Sequence, residues 1–87
     1  MDVLHREQPA LILLDVHLRQ FNGFDLLYCL RQDADVKDIR VVMSSGSDFS
    51  DRCLAEGADG FILKPYMPED LIKKLRHTLE NTRTNRE

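Results

Sequence analysis

The strongest pattern along the chain is a set of three short, uninterrupted apolar runs, at residues 11–14, 41–43 and 61–63. None of these runs alternates with polar residues, so each is typical of a strand that is covered on both faces, as in a parallel sheet. Stretches of mixed polarity, long enough for helices, separate the runs. The sequence therefore predicts three strands joined by helical connections.

The first two connections predict helices of different length. Over residues 23–31 the apolar side chains recur three and four positions apart, which is typical of a helix that faces a core. A shorter helix is expected over residues 47–56, where Ser47 is a candidate N-cap and Gly57 is a natural stop. Residues 1–7 predict the end of one more helix.

The last helix is predicted to begin at Pro68, because proline suits the first helical turn and the acidic Glu69 and Asp70 complement the helix dipole. Its apolar side chains are expected to face the core, whereas three of its cationic side chains are expected to face water. The apolar set is Leu71, Ile72, Leu75 and Leu79, and the cationic set is Lys73, Lys74 and Arg76. Residues 81–87 contain no apolar side chain and are expected to form a flexible tail.

The alternation of strands and helices predicts one α/β domain over residues 1–80, built on a parallel sheet. With 87 residues in all, the chain is one domain or a piece of one. Hydrophobic residues make up 43% and charged residues 31% of the chain, which is ordinary for a folded domain and argues against intrinsic disorder.

Charge and cysteine content narrow the classes of function. The formal net charge of −3 argues against nucleic-acid binding, which usually needs a basic face. The longest apolar run, residues 10–14, is too short to span a bilayer or to form a signal-peptide core, so no membrane partner is expected. Cys29 and Cys53 are expected to be reduced thiols that serve as small core residues in a cytoplasmic protein.

Polar side chains follow each apolar run, where the strands of a parallel sheet place their ligand-binding edge. Asp15 follows the first run, Ser44 and Ser45 follow the second, and Lys64 follows the third. A carboxylate can accept a phosphoryl group as a nucleophile, and a lysine and a hydroxyl beside it can hold the phosphoryl oxygens. The three positions together therefore indicate a phosphoryl acceptor site.

Three motifs occur in order around these positions. They are Leu-Leu-Asp-Val-His-Leu at residues 13–18, Val-Met-Ser-Ser-Gly at residues 42–46, and Gly-Ala-Asp-Gly-Phe-Ile-Leu-Lys-Pro-Tyr at residues 57–66. In these motifs the chain resembles, over residues 8–80, the receiver domain of two-component response regulators. The resemblance implies a flavodoxin-like α/β fold with helices on both faces of the sheet, and a phosphoryl group that passes from a histidine kinase to an aspartate.

The resemblance also implies a role for each matching position. These positions are Asp15 as phosphoacceptor, Ser45 and Lys64 as partners of the phosphoryl group, Phe61 as aromatic switch, Pro65 after a cis peptide bond, and the main-chain carbonyl of His17, which with Asp15 would bind Mg²⁺. Such a domain works with a histidine kinase or phosphotransfer protein on one side and an output domain or effector protein on the other.

One departure from the family pattern changes these expectations. Family receivers begin with a strand that ends in two adjacent acidic residues, and nothing before Asp15 fits that strand. We therefore expect a receiver that lacks the first strand, the first helix and the second strand, with about three strands and three to four helices. The resemblance implies Mg²⁺ for the intact domain, whereas this chain is expected to bind it weakly or not at all, since one carboxylate and one carbonyl make a poor site.

Two further expectations follow from the missing strands. The strand at residues 11–14 is expected at the edge of the sheet without a lysine or proline to block pairing, which favours a homo-oligomer through that edge. An alternative function is a phosphate-independent interaction module that keeps a binding surface and lacks the chemistry. A hydrolase is disfavoured, because position 17 holds His where phosphotransferases of that type place a second aspartate, so no enzyme activity is expected.

Overall fold

The structure, a computed structural model, describes residues 2–80 of the chain. Within that range, three strands alternate with four helices. In chain order the elements are α1 (Asp2–Glu7), β1 (Leu11–Asp15), α2 (Gly23–Gln32), β2 (Arg40–Ser45), α3 (Ser50–Ala55), β3 (Gly60–Leu63) and α4 (Pro68–Glu80). The expected flexible tail at residues 81–87 lies outside the described residues.

The three strands form one parallel sheet in the order β1-β2-β3. In its register Asp15 stands beside Ser44, and Ser45 stands beside Leu63. The predicted α/β class and parallel sheet are confirmed. Since the strands run the same way, their carboxyl ends meet at one edge of the sheet, and β1 is an edge strand among the described residues.

The main core lies between one face of the sheet and the helices α2 and α3. Alternate strand residues such as Leu14 and Met43 enter this core, where they meet Phe24 and Leu27 from α2 and Cys53 from α3. The helical spacing of α2 thus buries Phe24, Leu27 and Leu30, whereas Tyr28, expected on the same face, is exposed. Leu4 of the predicted N-terminal helix, α1, packs against the same cluster from its rim.

The helix α4 covers the other face of the sheet only in part. It lies over β2 and β3, where Val42 is fully buried and Thr78 is 4% exposed. Leu13 on β1 is 42% exposed, and Ile72 and Leu79 on α4 are 53% and 44% exposed. These three exposed side chains of β1 and α4 are called the apolar strip below. The expectation that the apolar residues of α4 face the core is wrong for Ile72 and Leu79.

Two details of α4 and α2 differ from the sequence-based expectations. Lys74, expected to face water, is half-buried with its aliphatic chain over the sheet near Gly60, because the long stem of a lysine can cover apolar surface. Cys53 is buried, as expected, but Cys29 is exposed on α2, so only one cysteine is a core residue. Both are free thiols.

The helix α3 is shorter at its start than predicted. It begins at Ser50 instead of residue 47, because the Asp48 carboxylate accepts hydrogen bonds from the N–H and the hydroxyl of Ser50 and holds the preceding residues in a turn. Ser47 is therefore not the N-cap. The predicted stop is confirmed, since Gly57 follows the helix with φ 108°, a conformation that favours glycine.

One buried guanidinium joins the end of α2 to the starts of β2 and β3. Arg31 donates hydrogen bonds to the carbonyls of Gly57, Lys37 and Ile39 at 3.0, 2.9 and 2.7 Å. Its remaining nitrogen forms an ion pair with Asp59 at 3.0 Å, and both side chains are almost buried. A charge in this position is satisfied by a fixed fork of donors that only arginine offers.

We predict that Arg31→Ala lowers the free energy of unfolding by about 3–5 kcal/mol, because it leaves the Asp59 carboxylate and three carbonyls without their buried donor. Urea unfolding of the two proteins measures the difference. The matched control is Arg76→Ala on the exposed surface of α4, which should change stability by less than about 0.5 kcal/mol. Equal effects of the two substitutions would contradict the role given to Arg31.

Candidate functional site at the carboxyl edge of the sheet

The carboxyl edge brings together residues that are far apart in sequence. Asp15 ends β1, Ser45 ends β2, and Lys64 directly follows β3. Strand pairing continues into this edge, because the Val16 N–H donates to the Ser44 carbonyl and the Lys64 N–H donates to the Ser45 carbonyl, each at 2.8 Å. The backbone positions of the site are therefore held by the sheet itself.

Asp15 and Lys64 are in direct contact, although 49 positions separate them in sequence. The Nζ of Lys64 donates to Oδ2 of Asp15 in an ion pair, and the His17 N–H donates to Oδ1 at 2.9 Å. Partial burial raises the pKa of Asp15, but the hydrogen bonds from Lys64 and from the His17 N–H outweigh it and hold that pKa below its usual value. The carboxylate is therefore ionised at neutral pH.

Ser45 lies beside this pair but is not bonded to it. Its side chain is buried, and its Oγ accepts a hydrogen bond from the Ser47 N–H at 3.2 Å. Within residues 2–80, no hydrogen bond joins Ser45 to Asp15 or Lys64 through its hydroxyl. The structure thus brings the carboxylate and the ammonium together and leaves the hydroxyl at the end of the neighbouring strand.

The loop after β1 closes tightly over the main chain of Asp15. The Gly23 N–H donates to the Val16 carbonyl at 2.7 Å, and Asn22 caps α2 by accepting from the Phe24 N–H at 2.8 Å. A side chain at position 23 would meet the Asp15 carbonyl oxygen at 2.2 Å. Only glycine allows this approach, which explains the glycine eight residues after the aspartate.

His17 faces the site with its main chain. It pairs with Asn22 across the loop, and the bonds that flank this pair run from Leu18 to Phe21 and from Gly23 to Val16. A pair flanked in this way is of the non-hydrogen-bonded type, so the N–H and the carbonyl of His17 point away from Asn22. The N–H donates to Asp15, which indicates that the carbonyl lies on the same side as the carboxylate.

Phe61 and Pro65 flank the site on β3 and after it. The Phe61 ring is half-buried and packs against the main core from its rim. The Lys64–Pro65 peptide bond is cis, as expected.

An aromatic row links the site to α2 and α3, and the sequence patterns do not reveal it. The His17 ring lies edge-to-face with Phe49 at 5.9 Å, and Phe49 lies likewise with Phe24 at 6.0 Å between ring centroids. The guanidinium of Arg52 stacks over Phe24 at 3.9 Å. In the sequence, only the position of Phe49 just before a short helix points to an aromatic contact. That position does not specify which rings Phe49 meets.

Comparison with known proteins identifies the family of this chain. The family model of the response regulator receiver domain matches residues 1–76. A probable transcriptional regulator, ycf27, of Porphyridium aerugineum is 35% identical over 81 residues, which are 91% of this chain and 33% of that protein. The two-component response regulator ORR3 of Oryza sativa subsp. indica is 38% identical over 66 residues, 72% of this chain and 50% of that protein.

A solved structure shows the same fold. The signal receiver domain of a DNA-binding response regulator from Colwellia psychrerythraea superimposes with a TM-score of 0.78 at 25% identity, covering 92% of this chain and 68% of that one. The chain belongs to the response regulator receiver domain family, whose members are signalling domains of flavodoxin-like fold. It spans about a third to a half of the length of the curated relatives it matches.

Receiver domains bind Mg²⁺ at their phosphorylation site, and the donors described at this sheet edge do not complete such a site. Within residues 3–80, no group of three metal-ligating side chains includes Asp15, so the described donors are its carboxylate and the His17 carbonyl. Both carboxylate oxygens already accept hydrogen bonds. Mg²⁺ needs six oxygens in near-octahedral order, so these two donors hold it poorly.

None of the helices within residues 2–80 is long and apolar enough to cross a membrane.

We predict that Gly23→Ala lowers the free energy of unfolding by at least about 2 kcal/mol, because the new methyl group overlaps the Asp15 carbonyl. Helix propensity alone would raise the free energy of unfolding of this variant, since alanine is favoured over glycine in helices by about 1 kcal/mol. The control is Gly46→Ala, where an added Cβ meets nothing within 4 Å and should cost less than about 0.5 kcal/mol. Chemical denaturation of both variants measures the two changes in the free energy of unfolding.

Proposed function

We propose that this chain accepts a phosphoryl group on Asp15 from the phosphohistidine of a histidine kinase or phosphotransfer protein. The observation that carries the proposal is the contact between the Lys64 ammonium and the Asp15 carboxylate at the carboxyl edge of the sheet. Ser45 at the end of the adjacent strand supports it. The family membership supplies the class of reaction.

The transfer follows from the charges at this edge. A carboxylate oxygen of Asp15 attacks phosphorus, a P–O bond forms, and the P–N bond of the phosphohistidine breaks with its electron pair passing to the imidazole nitrogen. The product is an acyl phosphate. Lys64 then donates to a phosphoryl oxygen instead of to the carboxylate, and the Ser45 hydroxyl donates to another, so that fixed donors stabilise the charge that the transfer brings into the site.

The proposal assigns a signalling role without turnover of a free substrate, so this chain is not an enzyme in its own right. Phe61 lies on β3 with its ring against the main core, and Pro65 follows Lys64 on the segment that leads into α4. A change in the partners of Lys64 is therefore adjacent to the surface formed by β3 and α4, which an output domain or effector protein would read. We propose a cytoplasmic location for this exchange, in keeping with the family.

A second candidate is a phosphate-independent interaction module. It is favoured by the occupancy of both Asp15 oxygens, and by the finding that no group of three metal-ligating side chains within residues 3–80 includes Asp15. In this case the partners would contact the same helices and strands irrespective of phosphorylation. Labelling of Asp15 separates the two candidates.

We predict that acetyl phosphate with Mg²⁺ adds one phosphoryl group to the chain, at Asp15, and more slowly than to a receiver with a complete Mg²⁺ site. Asp15→Asn abolishes the adduct, and Lys64→Ala slows its formation at least about tenfold, because one fixed cation is lost from the transition state. Asp25→Asn, an exposed carboxylate on α2, is the control and labels normally. Intact-mass spectrometry with peptide mapping measures the adduct.

Labelling of Asp25 or another carboxylate in place of Asp15 would contradict the assignment. No labelling under any condition would favour the phosphate-independent module.

We also propose that two copies of the chain associate through β1. Along this strand one edge has no partner among residues 2–80, and the strand contains no lysine or proline that would block pairing. Leu13 on this strand is exposed, and so are Ile72 and Leu79 on α4. Two-fold pairing of β1 with β1 would satisfy the edge and cover the apolar strip at the same time.

We predict that sedimentation velocity at micromolar concentration shows a dimer, and that Leu13→Lys converts it to a monomer, because the substitution places a charge in the covered strip. Tyr28→Lys, at an exposed apolar position on α2, is the matched control and leaves the dimer intact. A compact monomer for the unchanged chain would show that the edge and the strip do not drive association.

A further inference from the structure

A group of side chains that can bind a metal ion lies away from the carboxyl edge of the sheet that carries Asp15. His5 is on α1, Asp33 caps the end of α2, and Asp35 is in the loop that follows. Since α2 begins beside Asp15 and extends about 15 Å, this group is at the far end of that helix from the site. Its imidazole nitrogen and two carboxylate oxygens all lie within 4.8 Å of one another.

Two elements distant in sequence supply this group. The Nε2 of His5 lies 2.6 Å from Oδ2 of Asp33, across a separation of 28 positions. The other oxygen of Asp33 accepts the Asp35 N–H at 3.0 Å. One oxygen of the carboxylate is thus fixed by the backbone and the other is turned towards the imidazole.

The charge state of Asp33 suits a cation. The hydrogen bonds from the Asp35 N–H and from His5 hold the pKa of Asp33 below its usual value, so its carboxylate stays ionised. Metal binding requires deprotonated ligands, and an ionised carboxylate meets that requirement.

We propose that His5, Asp33 and Asp35 form a binding site for a divalent transition-metal ion of the zinc type, with water completing the coordination. One imidazole with two carboxylates is a donor set that suits Zn²⁺, whereas Mg²⁺ and Ca²⁺ prefer oxygen alone. Tetrahedral coordination at about 2.0–2.2 Å places ligand atoms about 3.4 Å apart. His5 and Asp33 would separate by less than 1 Å, and the exposed Asp35 carboxylate would rotate inwards.

Such an ion would join α1 to the end of α2. The six-residue α1 is too short to be stable alone. It is attached by Leu4, which packs against the rim of the core, and by the contact between His5 and Asp33. A metal ion that binds only the folded chain stabilises it in proportion to the logarithm of its concentration over the dissociation constant. The site would therefore set how firmly α1 stays on the domain.

The test is a calorimetric titration of the whole chain with Zn²⁺, with His5→Gln and Asp35→Asn as site variants. We expect one ion per chain, and at least about tenfold weaker binding in each site variant. The matched control is His77→Gln on α4, which should bind as the unchanged chain does. The variant His17→Gln, beside Asp15, reports whether the ion is held at that edge instead. Thermal melting in chelator checks that each variant folds.

The melting temperature gives a second readout. Zn²⁺ should raise the melting temperature of the unchanged chain and of His77→Gln, and not that of His5→Gln. Absence of binding, equal weakening by all three histidine variants, or loss of binding in His17→Gln alone would each overturn the proposal. The last outcome would move the ion to the edge that carries Asp15.

Discussion

The ion pair between Arg31 and Asp59 is the contact on which the arrangement of the sheet depends. Oδ2 of Asp59 accepts the Val41 N–H at 2.8 Å, and the Asp59 N–H donates to the Val41 carbonyl at 2.8 Å, so this residue clamps the start of β3 to the start of β2. Arg31 holds the clamp from α2. Because strand register is fixed at that end, the positions of Ser45 and Lys64 at the other end follow from strand length.

The sequence predicts where the site residues lie in the sheet, but it does not predict the contacts between their side chains. Apolar runs with a polar residue after each one indicated that Asp15, Ser45 and Lys64 would share an edge, and the sheet does place them there. That the carboxylate and the ammonium touch, while the Ser45 hydroxyl is bonded to Ser47, depends on rotamers and loop geometry. Hydrophobic patterns carry no information about either.

The apolar pattern of the sequence does not predict the features whose conformation is set by hydrogen bonds of polar groups. The start of α3 is set by the Asp48 carboxylate, and the burial of Arg31 is set by three carbonyls and a carboxylate that come from loops. Thr78, the most buried side chain of α4, is satisfied by the Lys74 carbonyl at 2.7 Å, so a polar residue faces the sheet where apolar periodicity indicated Ile72 and Leu79. Such satisfied polar groups are ordinary in protein interiors, but only the folded chain identifies their partners.

The contact between Lys64 and Asp15 has opposite effects on the resting site and on its proposed reaction. It keeps the carboxylate ionised and therefore nucleophilic, but it also occupies an oxygen and neutralises the charge that must attack phosphorus. An incoming phosphoryl group brings at least as much negative charge as the carboxylate gives up, so the ammonium can change partner without leaving the edge unpaired. In the proposed reaction the ammonium would change partner while staying at the same edge. Lys64 lies directly after β3, on the segment that leads into α4. A local exchange of charge partners can in this way reach the surface of the domain without rearranging the sheet.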